Sequence, residues 1–154
     1  MKSVYFRLKQ TINDFIRQGA SPNELAMAIS LGVIIGMFPV QGTTTIICTL
    51  VSILFRLNLV VIQLANYLSF PFMILMLVPF YSMGHVLFSR SDFLWNVEEL
   101  ILLFQNNFWA AVTELSWSIS YAVAVWLIFA PVGILIIYLI SLKIIKRFKI
   151  QATS

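Results

Sequence analysis

Ser21–Asn58 reads SPNELAMAISLGVIIGMFPVQGTTTIICTLVSILFRLN. No charge stands between Glu24 and Arg56, yet Phe38-Pro39-Val40-Gln41-Gly42 cuts the apolar run near its middle. Pro39 cannot donate a backbone hydrogen bond, and Gly42 can take a positive φ. Each half would rise roughly 20 Å as a helix, short of the roughly 30 Å hydrocarbon core of a bilayer. Two half-length helices joined by a polar turn predict a re-entrant hairpin, which enters a membrane and returns to the same side. A single kinked span over 25–55 is the alternative.

Both halves carry start signals. Ser21-Pro22-x-Glu24 fits a capping box with proline at the first helical position. Thr43, Thr44 and Thr45 open the second half. Gly32 and Gly36, one turn apart, form a small face suited to close helix packing.

Composition sets the class. Apolar residues make up 60% of the 154-residue chain, charged residues 10%, and mean hydropathy is +0.94. A soluble domain carries about 25% charge, and runs of about 18 uncharged apolar residues indicate membrane spans. The apolar runs are continuous rather than alternating, which excludes a barrel. The fold class is therefore an all-α membrane protein: a re-entrant broken-helix hairpin, two transmembrane helices and flanking amphipathic helices in one domain.

The remaining segments follow from charge and periodicity. Residues 1–20 predict a basic amphipathic helix, with Tyr5, Leu8, Ile12, Phe15 and Ile16 on one face. After the hairpin (21–58), residues 59–84 predict a span kinked or broken around Pro71 and Pro79. Its polar members Gln63, Asn66 and Ser69 recur every third residue and should face the bundle. Residues 86–120, acidic and carrying Trp95, Trp109 and Trp117, predict an external amphipathic segment. Tyr121–Leu142 holds no charge and predicts the second span, before a basic tail over 143–154. Phe129-Ala130-Pro131-Val132-Gly133 echoes the break of the first hairpin, but a second hairpin there would strand the basic tail outside.

The net charge of +4 is informative through its placement. Basic residues gather at cytoplasmic membrane ends. The N-terminal segment, Arg56, Lys143, Lys146, Arg147 and Lys149 should therefore be cytoplasmic, and the acidic middle outside. Arg56, Lys143, Lys146 and Arg147 are candidate interface or head-group anchors. The start of the chain does not read as a signal peptide, and no processing is expected.

The chemistry-bearing inventory is thin. Cys48 is the one cysteine and His85 the one histidine, and no phosphate loop, metal-ligand spacing or nucleophile elbow occurs. No enzyme activity, no metal, no cofactor and no nucleic-acid partner is expected. The best candidate site is the hairpin tip, where the second half-helix would point its free amides inward. Gln41, Gly42, Thr43, Thr44 and Asn66 are the candidate ligand-binding residues. Alternatively, these groups only satisfy one another and stabilise the turn.

Several of these residues form a recognisable series. Gly19-x-Ser21-Pro22-x-x-Leu25-Ala26, Gly32-x-x-x-Gly36-x-Phe38-Pro39-Val40-x-Gly42, Thr44/Thr45 and Arg56-Leu57-Asn58 resemble the bacterial family called domain of unknown function 2062. The resemblance covers roughly Phe6 to Gly84. It implies a multi-pass inner-membrane protein with no established activity. Family members often read Ser-Asn-Pro where this chain has Ser69-Phe70-Pro71, and Asn66 lies one turn earlier. Some relatives carry the segment beside a glycosyltransferase domain, which implies envelope or lipid-linked sugar work. Two functions are expected on these grounds. One is a small transport or lipid-handling protein that contacts the bilayer and assembles with itself or other membrane proteins. The other is a non-catalytic scaffold for a membrane enzyme of envelope or lipid-linked glycan synthesis.

Overall fold

The computed structural model describes residues 21–40, 42–87 and 97–150. Among these, every regular element is an α-helix: α1 (Pro22–Gly36), α2 (Thr44–Leu54), α3 (Leu59–Leu68), α4 (Phe70–Leu87), α5 (Val97–Asn106) and α6 (Phe108–Ile150). The amphipathic helix expected over 1–20 lies outside the described residues, as do Gln41, residues 88–96 and the end of the basic tail.

The helix ends have local causes. At Ser21 the side chain accepts from the Glu24 amide at 3.2 Å, and the Glu24 carboxylate accepts from the Ser21 amide at 2.9 Å. This is the reciprocal cap the sequence calls for. α1 stops at Gly36, because the residue before a proline disfavours helical backbone and Phe38 precedes Pro39. Asn58 starts α3 by accepting from the amides of Val60 and Val61.

Glycine contacts fix the direction of the first three helices. A Cβ on Gly32 would meet the Ile62 carbonyl oxygen and Ala65 Cβ. One on Gly36 would meet Ser69 Oγ and the Asn66 carbonyl oxygen. One turn forward along α1 is one turn forward along α3, so the two run parallel. Their connection must come back, and α2 does so: only residues 55–58 join its end to the start of α3, and Gln63, midway along α3, bonds Thr45 and Thr49 of α2. The turns before α1 and before α3 therefore lie at one end of the bundle, and the break at Pro39–Gly42 lies toward the other.

α6 packs antiparallel on the other face of α1. Trp126 Nε1 donates to the Ile34 carbonyl at 3.1 Å, and its ring meets Phe38 edge-on at 4.9 Å. Farther along, Tyr138, Leu142 and Ile145 pack on the core of Leu25, Ala26, Ala28, Ile35, Cys48, Val61 and Ile62. α4 also packs antiparallel to α6, with Gly84 against Tyr121. Exposed Arg56, Lys143, Lys146 and Arg147 consequently share the end that holds Ser21.

Two details differ from the sequence expectations. The third and fourth helices bend by 46° at Ser69, whereas Pro79 stays inside α4. Pro71 accounts for it: it has no N–H to give the carbonyl four residues back, and the chain bends just upstream. The boundary drawn at 120/121 falls inside α6, which runs unbroken from Phe108 to Ile150 and carries Pro131. The hydroxyls before that boundary bond back to their own helix. Thr113 donates to the Trp109 carbonyl, Ser116 to Val112 and Ser120 to Ser116.

Among the described residues, one helix, Phe108–Arg147, is long and apolar enough to cross a membrane. The bent pair Leu59–Leu68 and Phe70–Gly84 passes the same test taken together.

Candidate functional site

Three interruptions of the helical backbone converge: the end of α1 at Gly36–Phe38, the start of α2 at Thr44, and the bend at Ser69–Phe70. Between them is a cavity of about 230 Å³ lined by Gly36, Phe38, Thr44, Asn66, Tyr67, Phe70 and Met73. Thr44 and Asn66, two of the predicted site residues, thus meet. Phe70, where the family pattern has Asn, lines the same wall.

Asn66 is only 3% exposed, and its orientation can be derived. The Thr45 carbonyl accepts a bond of 2.9 Å from the Gln63 side chain, so the atom facing it must be Nε2. Nε2 also donates to Thr49 Oγ1 at 3.1 Å, while the Thr49 hydroxyl donates to the Thr45 carbonyl at 2.8 Å. Gln63 Oε1 is left facing Asn66, which must present Nδ2 to it, at 3.2 Å. Asn66 Oδ1 then lies on the Gly36 side, 2.9 Å from where a Cβ on Gly36 would stand. It has no donor among the described residues. A buried acceptor without a partner costs about 1–3 kcal/mol.

The opposite chemistry stands at the start of α2. The first intrahelical bond is Ile47 N to the Thr43 carbonyl, 3.0 Å. The amides of Thr44, Thr45 and Ile46 come before it and have no acceptor among the described residues. Thr43 offers them no side-chain cap; its hydroxyl donates to the Val40 carbonyl at 2.9 Å. Such amides, with the helix dipole behind them, favour an acceptor or an anion.

The remaining predicted residues sort by role. Gly42 has φ +82 with open space around it, so backbone conformation selects it. Pro39 is buried beside it. Gly32 and Gly36 let α3 approach at backbone distance. Arg56 adopts φ 53 in the α2–α3 turn, on the basic end with Lys143, Lys146 and Arg147 and away from the cavity. Gln41 lies outside the described residues.

Sequence reasoning gave no site role to Gln63, Ser69, Phe38 or Trp126. The three-residue spacing of Gln63, Asn66 and Ser69 was the available signal for the first two. The indole bond of Trp126 to an α1 carbonyl left none.

A second, almost wholly apolar groove of about 370 Å³ lies between α1, α4 and α6, lined by Ile34, Met37, Met76, Met83, Trp126 and Gly133 among others. Among the described residues, no Asp, Glu, His, Lys or Arg lines either space. Among the described residues no cluster of His, Cys, Asp and Glu could hold a metal.

An all-helical chain with a reversed hairpin and a polar cavity at its tip defines the class. The chain belongs to the family described as uncharacterized protein conserved in bacteria, domain of unknown function 2062, whose model matches residues 6–153. The match extends beyond Gly84, where the motif resemblance stops, through the whole of α6. No curated protein and no solved structure matches the chain.

Proposed function

We propose that the protein is a multi-pass inner-membrane protein that handles a lipid or small solute at the cavity of the hairpin tip, without catalysis. The observation supporting it is the convergence of three backbone breaks on one polar cavity. α1 has 15 residues and rises about 22 Å, so with Ser21 at one interface its tip stands inside a hydrocarbon core of about 30 Å. At that depth irregular backbone persists only when buried or lining a wet cavity, and broken helices build transporter sites. The basic end faces the cytoplasm in this reading, with both termini, and Glu114 lies toward the opposite end of α6. A chain this small needs a second copy or another membrane protein to enclose a path.

The test is aqueous access to the tip. In a Cys48→Ser background, Thr44→Cys should react with a membrane-impermeant thiol reagent added from the side that labels Lys146→Cys. A Thr44→Cys that reacts from neither side would leave a closed structural turn and end the proposal. The scaffold reading rests on the glycosyltransferase neighbourhood of relatives. Co-purification of a glycan-synthesis enzyme with wild-type protein, undisturbed by Asn66→Leu, would favour it.

A further inference from the structure

The polar cavity and the apolar groove are neighbours. Gly36 and Phe38 line the first while Met37, between them, lines the second. Met73 lines the first and Met76, one turn on, the second. The Phe38–Trp126 ring pair stands between them. Each space presents one half of an amphipathic ligand. The cavity offers the first amides of α2, Thr44 to Ile46, which no side chain among the described residues caps, and Asn66 Oδ1, which accepts no bond from those residues. That acceptor belongs to a residue only 3% exposed and is fixed in orientation by the Gln63–Thr45 bond. The groove offers methionine, aromatic and aliphatic surface. Methionine's unbranched, polarizable chain suits a flexible apolar occupant of variable shape.

We infer that the two spaces together bind one phospholipid. Its phosphate sits at the α2 amides, a hydroxyl or ammonium of its head group donates to Asn66 Oδ1, and one acyl chain lies in the groove between α1, α4 and α6. The inference rests on the proposed membrane reading and sharpens it by naming the ligand class. Inorganic phosphate would leave the groove empty. A diacylglycerol has a hydroxyl but no phosphate for the amides. A soluble glycerol phosphate has both and leaves the groove empty. A phosphatidylglycerol satisfies all three.

The full-length chain, reconstituted in phosphatidylcholine vesicles, tests this with a minor fraction of phosphatidylglycerol carrying a photoreactive group on one acyl chain. Diacylglycerol with the same chain is the control. Mapped crosslinks should concentrate on Met76, Met83 and Phe129 relative to the exposed positions Leu54 and Leu68. Phosphatidylglycerol should label the groove about fivefold more than diacylglycerol, the effect of roughly one hydrogen bond. Asn66→Leu, which removes the acceptor for the head-group donor, should lower that ratio toward one. Excess glycerol phosphate should not compete. Equal labelling by the two lipids on the unaltered chain would overturn the inference, and this comparison needs no variant to fold. Competition by glycerol phosphate would also overturn it, in favour of a soluble phosphate ligand. If Thr44→Cys reacts with the aqueous reagent while the lipids label equally, the cavity reading stands and the lipid inference alone falls. If Thr44→Cys reacts from neither side and the lipids label equally, both fall.

Discussion

Two stretches of this chain look alike and behave differently. Phe38-Pro39-Val40-x-Gly42 ends a helix and turns the chain back, whereas Phe129-Ala130-Pro131-Val132-Gly133 runs straight through α6. Both prolines remove an amide. The outcome is set by the next residues along the chain and by the helices packed alongside. After Pro39 the chain reaches Gly42 at φ +82, and the threonines begin a new helix. After Pro131 the next residues are helical apolar ones, and α4 and α1 flank the helix, with Gly133 against Ile34. A proline in such a chain permits a break; the glycine geometry and the neighbouring helices decide whether one forms.

The largest effect is expected where the returning chain is gripped. Gly36→Val would drive a side chain into Ser69 Oγ and the Asn66 carbonyl, the latter only 2.6 Å from a Cβ. Backbone cannot yield as a side-chain tip can, so the cost should be at least ~3 kcal/mol. Thermal unfolding in detergent, followed by circular dichroism, should show a large loss, and an unchanged melt would contradict the parallel α1–α3 contact. Gly42→Val comes next, at ~1–3 kcal/mol, because a β-branched residue is strained at φ +82 although nothing blocks it sterically. If this variant melted like the parent, the turn would not depend on left-handed backbone. Trp126→Phe keeps the ring against Phe38 and loses the bond to the Ile34 carbonyl, which predicts ~1 kcal/mol. Gly133→Ala should be the mildest, within ~0.5 kcal/mol. Its Cβ would meet only the mobile tip of Ile34, and alanine favours a helix. A Gly133→Ala loss as large as that of Gly42→Val would mean that the two stretches are more alike than the fold implies.

The same comparison explains what could be read from the residues. Capping is local, so Ser21, Glu24 and the threonine start of α2 were legible one turn at a time. Gly32 and Gly36 announced a close approach but not its partner, because nothing local marks Ile62 and Ala65 as the facing residues. The 46° bend was visible as a proline effect, yet it sits at Ser69, since the missing bond belongs to the residue four before Pro71. The length of α6 was not legible. Acidic residues and tryptophans set 86–120 apart from the uncharged run that follows, whereas the folded helix continues through 120/121 with the hydroxyls of Thr113, Ser116 and Ser120 bonded to its own carbonyls. At the site, Thr44 and Asn66 could be paired because a hairpin tip and a polar residue in a long uncharged run are both unusual. Gln63, which fixes the orientation of Asn66, reads in the sequence as one more polar residue on a helix face.

The central claim is that the chain reverses at Pro39–Gly42, so that Arg56 returns to the end where α6 finishes. Single-cysteine labelling of Arg56→Cys and Lys146→Cys, each in a Cys48→Ser background in intact cells and inverted vesicles, tests it most directly. Reaction of both from the same, cytoplasmic side, with Asn106→Cys reacting from the other, is the result predicted here. Arg56→Cys reacting with Asn106→Cys, from the side opposite Lys146→Cys, would make Ser21–Asn58 a single crossing and contradict the account.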